Sequence, residues 1–173
     1  FRNNITVEGL WVGGHPTPIV MGAATNRGAI RADVTIITAG AWAGEIDERF
    51  ALPVYPVRGQ AIHIPLSTEP PIRHLISGNG IYMIPDGLGV TIGATHEDVG
   101  FTRGVTVGGV GKLLQYALAL VPEVGSGDYN HLRPWSGFRP ATPDKTPILG
   151  ADPRARGLWW ATGHFRSGIL LAP

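Results

Sequence analysis

The chain has 173 residues, 43% of them hydrophobic and 16% charged, and its 14 basic and 13 acidic side chains leave a formal net charge of +1. That balance supports a packed core and excludes disorder, and the two lysines and scattered arginines form no basic face of the kind nucleic acid requires. No apolar run approaches membrane-spanning length, no signal-peptide pattern is present, and the absence of cysteine excludes disulfides, thiolate metal sites and cysteine nucleophiles.

With 25 glycines and 15 prolines, the composition favours short strands and turns over long helices. Residues 5–12 and 19–24 are expected as strands joined by the Gly13-Gly14-His15-Pro16 turn, and residues 29–32 as a return strand after Asn26-Arg27-Gly28. Residues 34–38 (Val-Thr-Ile-Ile-Thr) are β-branched throughout, as expected of a strand covered on both faces. They run into Ala39-Gly40-Ala41-Trp42-Ala43-Gly44, a small-residue turn leading to a short helix over 45–49. Small residues after a parallel strand admit a ligand or simply pack tightly, and the residues alone leave both open.

From Leu52 the pattern becomes antiparallel, with short strands at 54–57, 61–64, 73–76, 81–84 and 90–93. Asp86-Gly87-Leu88-Gly89 connects the last two as a hairpin. Val110, Leu113, Leu114, Ala117, Leu120 and Val121 form a helical stripe over 107–121, which Pro122 ends. Residues 129–139 read as extended, 140–150 as a proline-punctuated loop and 158–161 as a strand. That strand enters Gly163-His164-Phe165-Arg166-Ser167-Gly168-Ile169-Leu170-Leu171, read as a glycine turn followed directly by the first turn of a helix. Such a start offers unpaired N–H groups and the positive end of a dipole to an electron-rich group, and Arg166 adds a planar cation. An ordinary corner bearing a surface arginine fits the local pattern equally well. A chain that begins at Phe1 and stops just past a helix start is expected to be a fragment. The fold class expected is α+β, with two lobes between which the chain crosses twice.

Several sites are set aside. Gly108-Gly109-Val110-Gly111-Lys112 lacks the upstream glycine and the Ser or Thr of a phosphate loop and reads as a helix start. His15, His63, His74, His96, His131 and His164 show no paired ligand spacing, so no metal site is expected. Neither Gly-x-Ser-x-Gly nor Gly-x-Gly-x-x-Gly occurs, and the carboxylates are dispersed. Two arginines in apolar, glycine- and proline-rich settings remain: Arg139 in Trp135-Ser136-Gly137-Phe138-Arg139-Pro140, and Arg166. Either could grip a small carboxylate two-pronged or serve a structural ion pair. Tyr82, on an expected strand, could add a hydroxyl to the same carboxylate or simply pack.

Residues 30–42 (Ile-Arg-Ala-Asp-Val-Thr-Ile-Ile-Thr-Ala-Gly-Ala-Trp) resemble the late strand of the FAD domain in the D-amino-acid-oxidase-like flavoproteins. Val57-Arg58-Gly59-Gln60, Gly93-Ala94-Thr95 with Asp98-Val99-Gly100-Phe101, residues 137–144, Pro147-Ile148-Leu149-Gly150 and residues 163–173 match that family in order. The nearest likeness is to glycine oxidases, including those of thiamine biosynthesis. The resemblance implies an antiparallel-sheet substrate-binding lobe plus the C-terminal part of a Rossmann-like FAD-binding lobe. It implies residues 1–51 in the partial FAD-binding lobe, 52–150 in the substrate-binding lobe and 151–173 back in the FAD-binding lobe.

It also implies FAD-dependent oxidation of glycine or a small amino acid. The α-hydrogen passes as hydride to the flavin, water hydrolyses the imine, and oxygen is reduced to peroxide. A related D-amino-acid or sarcosine-type oxidase or dehydrogenase, or a non-catalytic subunit of a split flavoprotein, is the alternative. Arg139, Arg166 and Tyr82 match the positions that hold the substrate carboxylate. His164, Phe165, Arg166, Ser167, Gly168, Ile169 and Leu170 match the segment whose backbone lies against the flavin ring. No side chain is assigned as a catalytic acid, base or nucleophile.

Ser167 stands where glycine oxidases usually carry asparagine, a modest change where backbone groups make the contact, and Gly80 stands where some relatives place a bulkier residue, so the pocket is expected to differ at Gly80. The dinucleotide fingerprint is expected upstream of Phe1, on an N-terminal FAD-binding segment that acts as the chain's partner. Alone, the chain is therefore expected to bind FAD weakly or not at all. The family reading places the protein in the cytoplasm and leaves room for a homo-oligomer.

Overall fold

The structure is a computed structural model and describes residues 2–67, 69–87, 89–128 and 131–171. In chain order the strands are β1 (Val7–Gly13), β2 (Ile19–Thr25), β3 (Gly28–Arg31), β4 (Thr35–Ile37), β5 (Tyr55–Pro65), β6 (Ile76–Gly78), β7 (Ile81–Asp86) and β8 (Gly89–Gly93). The helix α1 (Val107–Leu120) follows, then β9 (Arg133–Ala141), β10 (Ile148–Ala151) and β11 (Leu158–Thr162). The chain divides into two compact units, Phe1–Pro56 with Arg139–Pro173, and Val57–Phe138.

The first unit holds two three-stranded sheets, an antiparallel meander in the order β1-β2-β3 and a mixed sheet in the order β10-β11-β4. β11 pairs antiparallel with β10 and parallel with β4. Alternation assigns the faces of the mixed sheet: Ile37, Leu158 and Trp160 point into a core with Leu10, Val20, Phe50 and Ala155. Trp160 donates its indole N–H to Asp152 at 2.8 Å, so the polar atom of the largest core side chain is satisfied. Asp152 also accepts from the backbone N–H and guanidinium of Arg154, whose hydrogen bonds hold the carboxyl down to about 2.

Among the described residues, 34–38 are covered on one face only, not on both as expected. β4 is the outer strand of its sheet, and Val34 and Ile36 are 52% and 60% exposed, alongside exposed Trp159 and Leu149. One face of a parallel pair is thus bare and apolar among the described residues. The expected helix over 45–49 is instead two 3₁₀ turns, Gly40–Glu45 and Glu48–Phe50, the second capped by Asp47. β10 falls inside the expected loop at 140–150, where prolines and glycine masked a four-residue strand.

The second unit is a five-stranded sheet in the order β6-β7-β8-β5-β9, with α1 on one face. Ile62, Ile64, Ile81, Met83, Val90 and Ile92 pack against Leu113 and Ala117 of the helix. Thr106 caps α1 by accepting from Gly109 N–H at 3.1 Å, which makes the glycine-rich run a helix start. β5 is one strand of eleven residues where two were expected, because the Gly59-Gln60 break is bridged: Gln60 N–H donates to Thr95 Oγ1 at 2.8 Å. The strand expected at 73–76 starts only at Ile76. Asp86 pairs with Gly89 as the expected hairpin requires, although Leu88 at its tip lies outside the described residues, as does Tyr129 at the head of the expected extended run. Asn79 (φ 52°) and Gly80 (φ 77°) form the two-residue positive-φ turn between β6 and β7, which gives Gly80 a conformational role.

A buried polar network closes this unit. Arg58, 6% exposed, donates to Glu97 Oε2 from Nε at 2.7 Å and again from Nη2, and to Thr102 carbonyl at 3.1 Å. Gln60 donates to Glu97 Oε1 at 2.7 Å and to Thr106 Oγ1 at 3.0 Å, and accepts from Thr106 N–H at 2.8 Å. Burial pushes the Glu97 carboxyl up, but hydrogen bonds from Thr95, Arg58 and Gln60 with the Arg58 charge outweigh it and hold it below the usual carboxylate range. A depressed carboxyl contributes stability that is complete above its unfolded pKa and is lost as pH falls through the lower folded one. Glu97→Gln, which leaves Arg58 buried without its counter-charge, is expected to cost about 3 kcal/mol near neutral pH. It should also flatten the acid limb of a stability-versus-pH curve measured by urea denaturation.

Candidate functional site

Because β4 and β11 run parallel in register, Trp160 opposite Ile37, their carboxyl ends lie side by side. Two glycine turns leave from there. After β4 comes Gly40 at φ 56°, with nothing within 4 Å of where a Cβ would stand. After β11 comes Gly163 at φ 76°, where a Cβ would meet Thr142 Cγ2 at 2.8 Å, so both conformation and space demand glycine. Thr162, 1% exposed, ties the turns together by donating its hydroxyl to Gly40 carbonyl at 2.8 Å.

The segment after Gly163 departs from expectation. Phe165 adopts φ 50°, so no helix starts at His164; Ser167 N–H instead closes a turn onto His164 carbonyl at 2.9 Å. One helical turn follows, with Leu171 N–H donating to Ser167 carbonyl at 2.9 Å. The N–H groups of Arg166, Gly168, Ile169 and Leu170 find no backbone acceptor among the described residues. Ile169 is 94% exposed. Open donors, a bare apolar side chain and the empty space over Gly40 suit a flat, electron-rich group, so the residues present fit a flavin ring.

Phe165 N–H donates to Pro140 carbonyl at 2.9 Å, which pins this segment to the end of β9. One hydrogen bond thereby joins Arg139-Pro140 to Phe165-Arg166, so the two segments bearing the sequence-predicted arginines meet. Arg139 is half-buried and engaged with neighbouring groups. Arg166 is exposed and lies over the Phe165 ring, 5.4 Å from its centroid. Tyr82 belongs to the other unit, on the sheet face opposite α1, opposite Ser77 of β6 and Gly93 of β8. Its ring lies directly on Gly93, where an added Cβ would come within 2.8 Å of Tyr82 Cε2.

Sequence reasoning gave no role to Thr162 or Gly93. A threonine before a strand-ending glycine and a glycine ending the strand beside Tyr82 are their faint signals. Arg58 and Gln60 were visible as a motif, but their work of holding Glu97 was not. No helix among the described residues is long and apolar enough to cross a membrane.

A family profile described as DAO, FAD dependent oxidoreductase, matches residues 1–173. The chain is 44% identical to the bifunctional protein ThiO/ThiG of Nostoc sp. over 99% of its own length and 26% of that protein's. It is 39% identical to the glycine oxidase of Geobacillus kaustophilus over 86% of its length and 40% of that protein's. The crystal structure of that glycine oxidase superposes with a TM-score of 0.85 at 34% identity, covering 98% of this chain and 45% of the other. The structure of iminodiacetate oxidase from Chelativorans sp. BNC1 superposes with a TM-score of 0.78 at 32% identity, over 95% of this chain and 46% of that one. The chain thus spans between a quarter and a half of the length of these relatives.

The Gly93–Tyr82 contact is directly testable. Gly93→Ala should destabilise the second unit by about 1–3 kcal/mol through overpacking. In a Tyr82→Ala background, where the ring is gone, chemical denaturation should recover most of that loss.

Proposed function

The chain belongs to the FAD-dependent oxidoreductase family, and on that footing we propose that it is the C-terminal part of a glycine-oxidase-like enzyme that deaminates glycine or small amino acids. The observation that carries the reading is the Phe165–Pro140 hydrogen bond, which brings both arginine segments to the open ends of a parallel strand pair. FAD, when bound, would supply the two-electron oxidant, with oxygen as the final acceptor and peroxide as its product.

The chain's own residues bind and orient. Arg139 meets the substrate carboxylate with its planar fork, and the fixed strand beneath it sets the direction of approach. Tyr82 supplies a hydroxyl to the same carboxylate, its ring positioned by Gly93. Arg166 adds positive charge near that carboxylate. The segment 164–170 would lie against the flavin ring, and its open N–H groups, those of Arg166, Gly168, Ile169 and Leu170, would act as fixed donors that favour the electron-rich form without reorganising. With no acid or base assigned, rate enhancement rests on orientation and electrostatics. The deamination of glycine itself is favoured by the similarity to proteins named glycine oxidase. A secondary amine is the second reading, favoured by the similarity to a protein titled iminodiacetate oxidase.

The division into lobes at 1–51, 52–150 and 151–173 belongs to this proposal, as does a complementary FAD-binding segment. Supporting the latter are the bare apolar face formed by Val34, Ile36, Leu149 and Trp159 and the unpaired edge of β4 among the described residues. We place the protein in the cytoplasm.

Flavin spectroscopy tests the proposal. The chain alone should retain little FAD, whereas with the N-terminal segment of a glycine oxidase it should give a yellow complex that bleaches under anaerobic glycine. A stoichiometric yellow complex of the chain alone would refute the complementation. In the assembled enzyme, Arg139→Lys keeps the charge but loses the fork, and steady-state assays should find KM for glycine raised roughly ten- to a hundredfold with a smaller fall in kcat.

A further inference from the structure

Away from the strand ends, the outer face of the meander carries a cavity of about 510 Å³ lined by Trp11, Ile19, Val20, Met21, Arg31, Ala32, Asp33 and Arg156. Its volume falls in the small-molecule range, and it is an open depression in which Met21, Arg31, Asp33 and Arg156 are exposed. Both arginines are fixed at the backbone. Arg31 pairs with Gly22 across β2 and β3, and Ala32 N–H donates to Met21 carbonyl at 3.0 Å. Arg156 N–H donates to Pro18 carbonyl at 3.0 Å and its carbonyl accepts from Val20 N–H at 2.9 Å. The following Gly157, at φ 76°, has no room for a Cβ, which would meet Val20 carbonyl at 2.6 Å.

Arg31 lies over the Trp11 ring, 4.7 Å from its centroid, which orients the guanidinium without consuming its hydrogen-bond donors. Neither Arg31 nor Arg156 forms an ion pair among the described residues, although Asp33 lines the same cavity. Two guanidinium groups against one carboxylate leave the cavity with one net positive charge over an apolar floor of Ile19 and Met21.

We propose that this cavity is a second ligand site, separate from the strand-end site, for a small organic carboxylate with an apolar body. Arg31 and Arg156 take the carboxylate, Trp11, Ile19 and Met21 cover the body, and Asp33 restricts the ligand to a single negative charge and accepts from a hydroxyl or ammonium on it.

Phenylacetate serves as the probe, titrated into the full chain and followed by the Trp11 indole N–H and the Arg31 and Arg156 amide signals in ¹H–¹⁵N spectra. Saturable shifts at these three positions are expected, with uncharged phenylacetamide binding at least about tenfold more weakly. The Arg31→Gln/Arg156→Gln double variant should retain the spectral dispersion of the parent and lose affinity for phenylacetate by at least about tenfold. If dispersion falls, the single Arg156→Gln variant, which leaves the Trp11 stack intact, carries the same expectation. The proposal is overturned by the absence of saturable shifts, by equal binding of acid and amide, or by unchanged affinity in the folded variant.

Discussion

The parallel pairing of β11 with β4 is the constraint on which the rest of the site depends. Two strands distant in sequence place their carboxyl ends together, and backbone groups leaving those ends need partners or a ligand. The hydroxyl of Thr162 supplies one partner by donating to the Gly40 carbonyl, and the Pro140 carbonyl supplies another by accepting from Phe165 N–H. What is left open is a short row of N–H groups beside an exposed isoleucine. A site of this kind is made by topology more than by any reactive side chain.

The second unit solves a different problem. Its sheet must bury one face against α1, while Tyr82 stands on the other. Buried apolar residues on alternate positions achieve the first. The loop that returns from β8 to α1 is long, and its backbone could not be held by apolar contacts alone. Arg58, Gln60, Thr95, Glu97 and Thr106 hold it through a closed set of hydrogen bonds, so that the polar groups brought inside are paired.

Much of this was legible in sequence. The stripe from Val110 to Leu120 announced α1, the turn at Asn26-Arg27-Gly28 announced the meander, and the ordered motifs announced the family. The rest depended on partners distant in the chain. β-branching in residues 34–38 reports strand propensity, whereas coverage is decided by what packs on the sheet, and within this chain only one face is covered. The turn at 163–167 looks like a helix start because Gly-His-Phe-Arg-Ser carries no sign that Phe165 takes a left-handed conformation. That Gly80 also serves a positive-φ hairpin turn was not read from the sequence. Arg139 and Arg166 could be singled out one at a time, but their meeting rests on a backbone hydrogen bond that no side-chain pattern encodes.

Amide hydrogen exchange, measured on the chain assembled with an N-terminal FAD-binding segment with and without FAD, tests the central claim most directly. The account predicts that residues 39–43 and 163–170 gain protection together when FAD is added. Protection of only one of these turns, or of neither while FAD is bound, would contradict it.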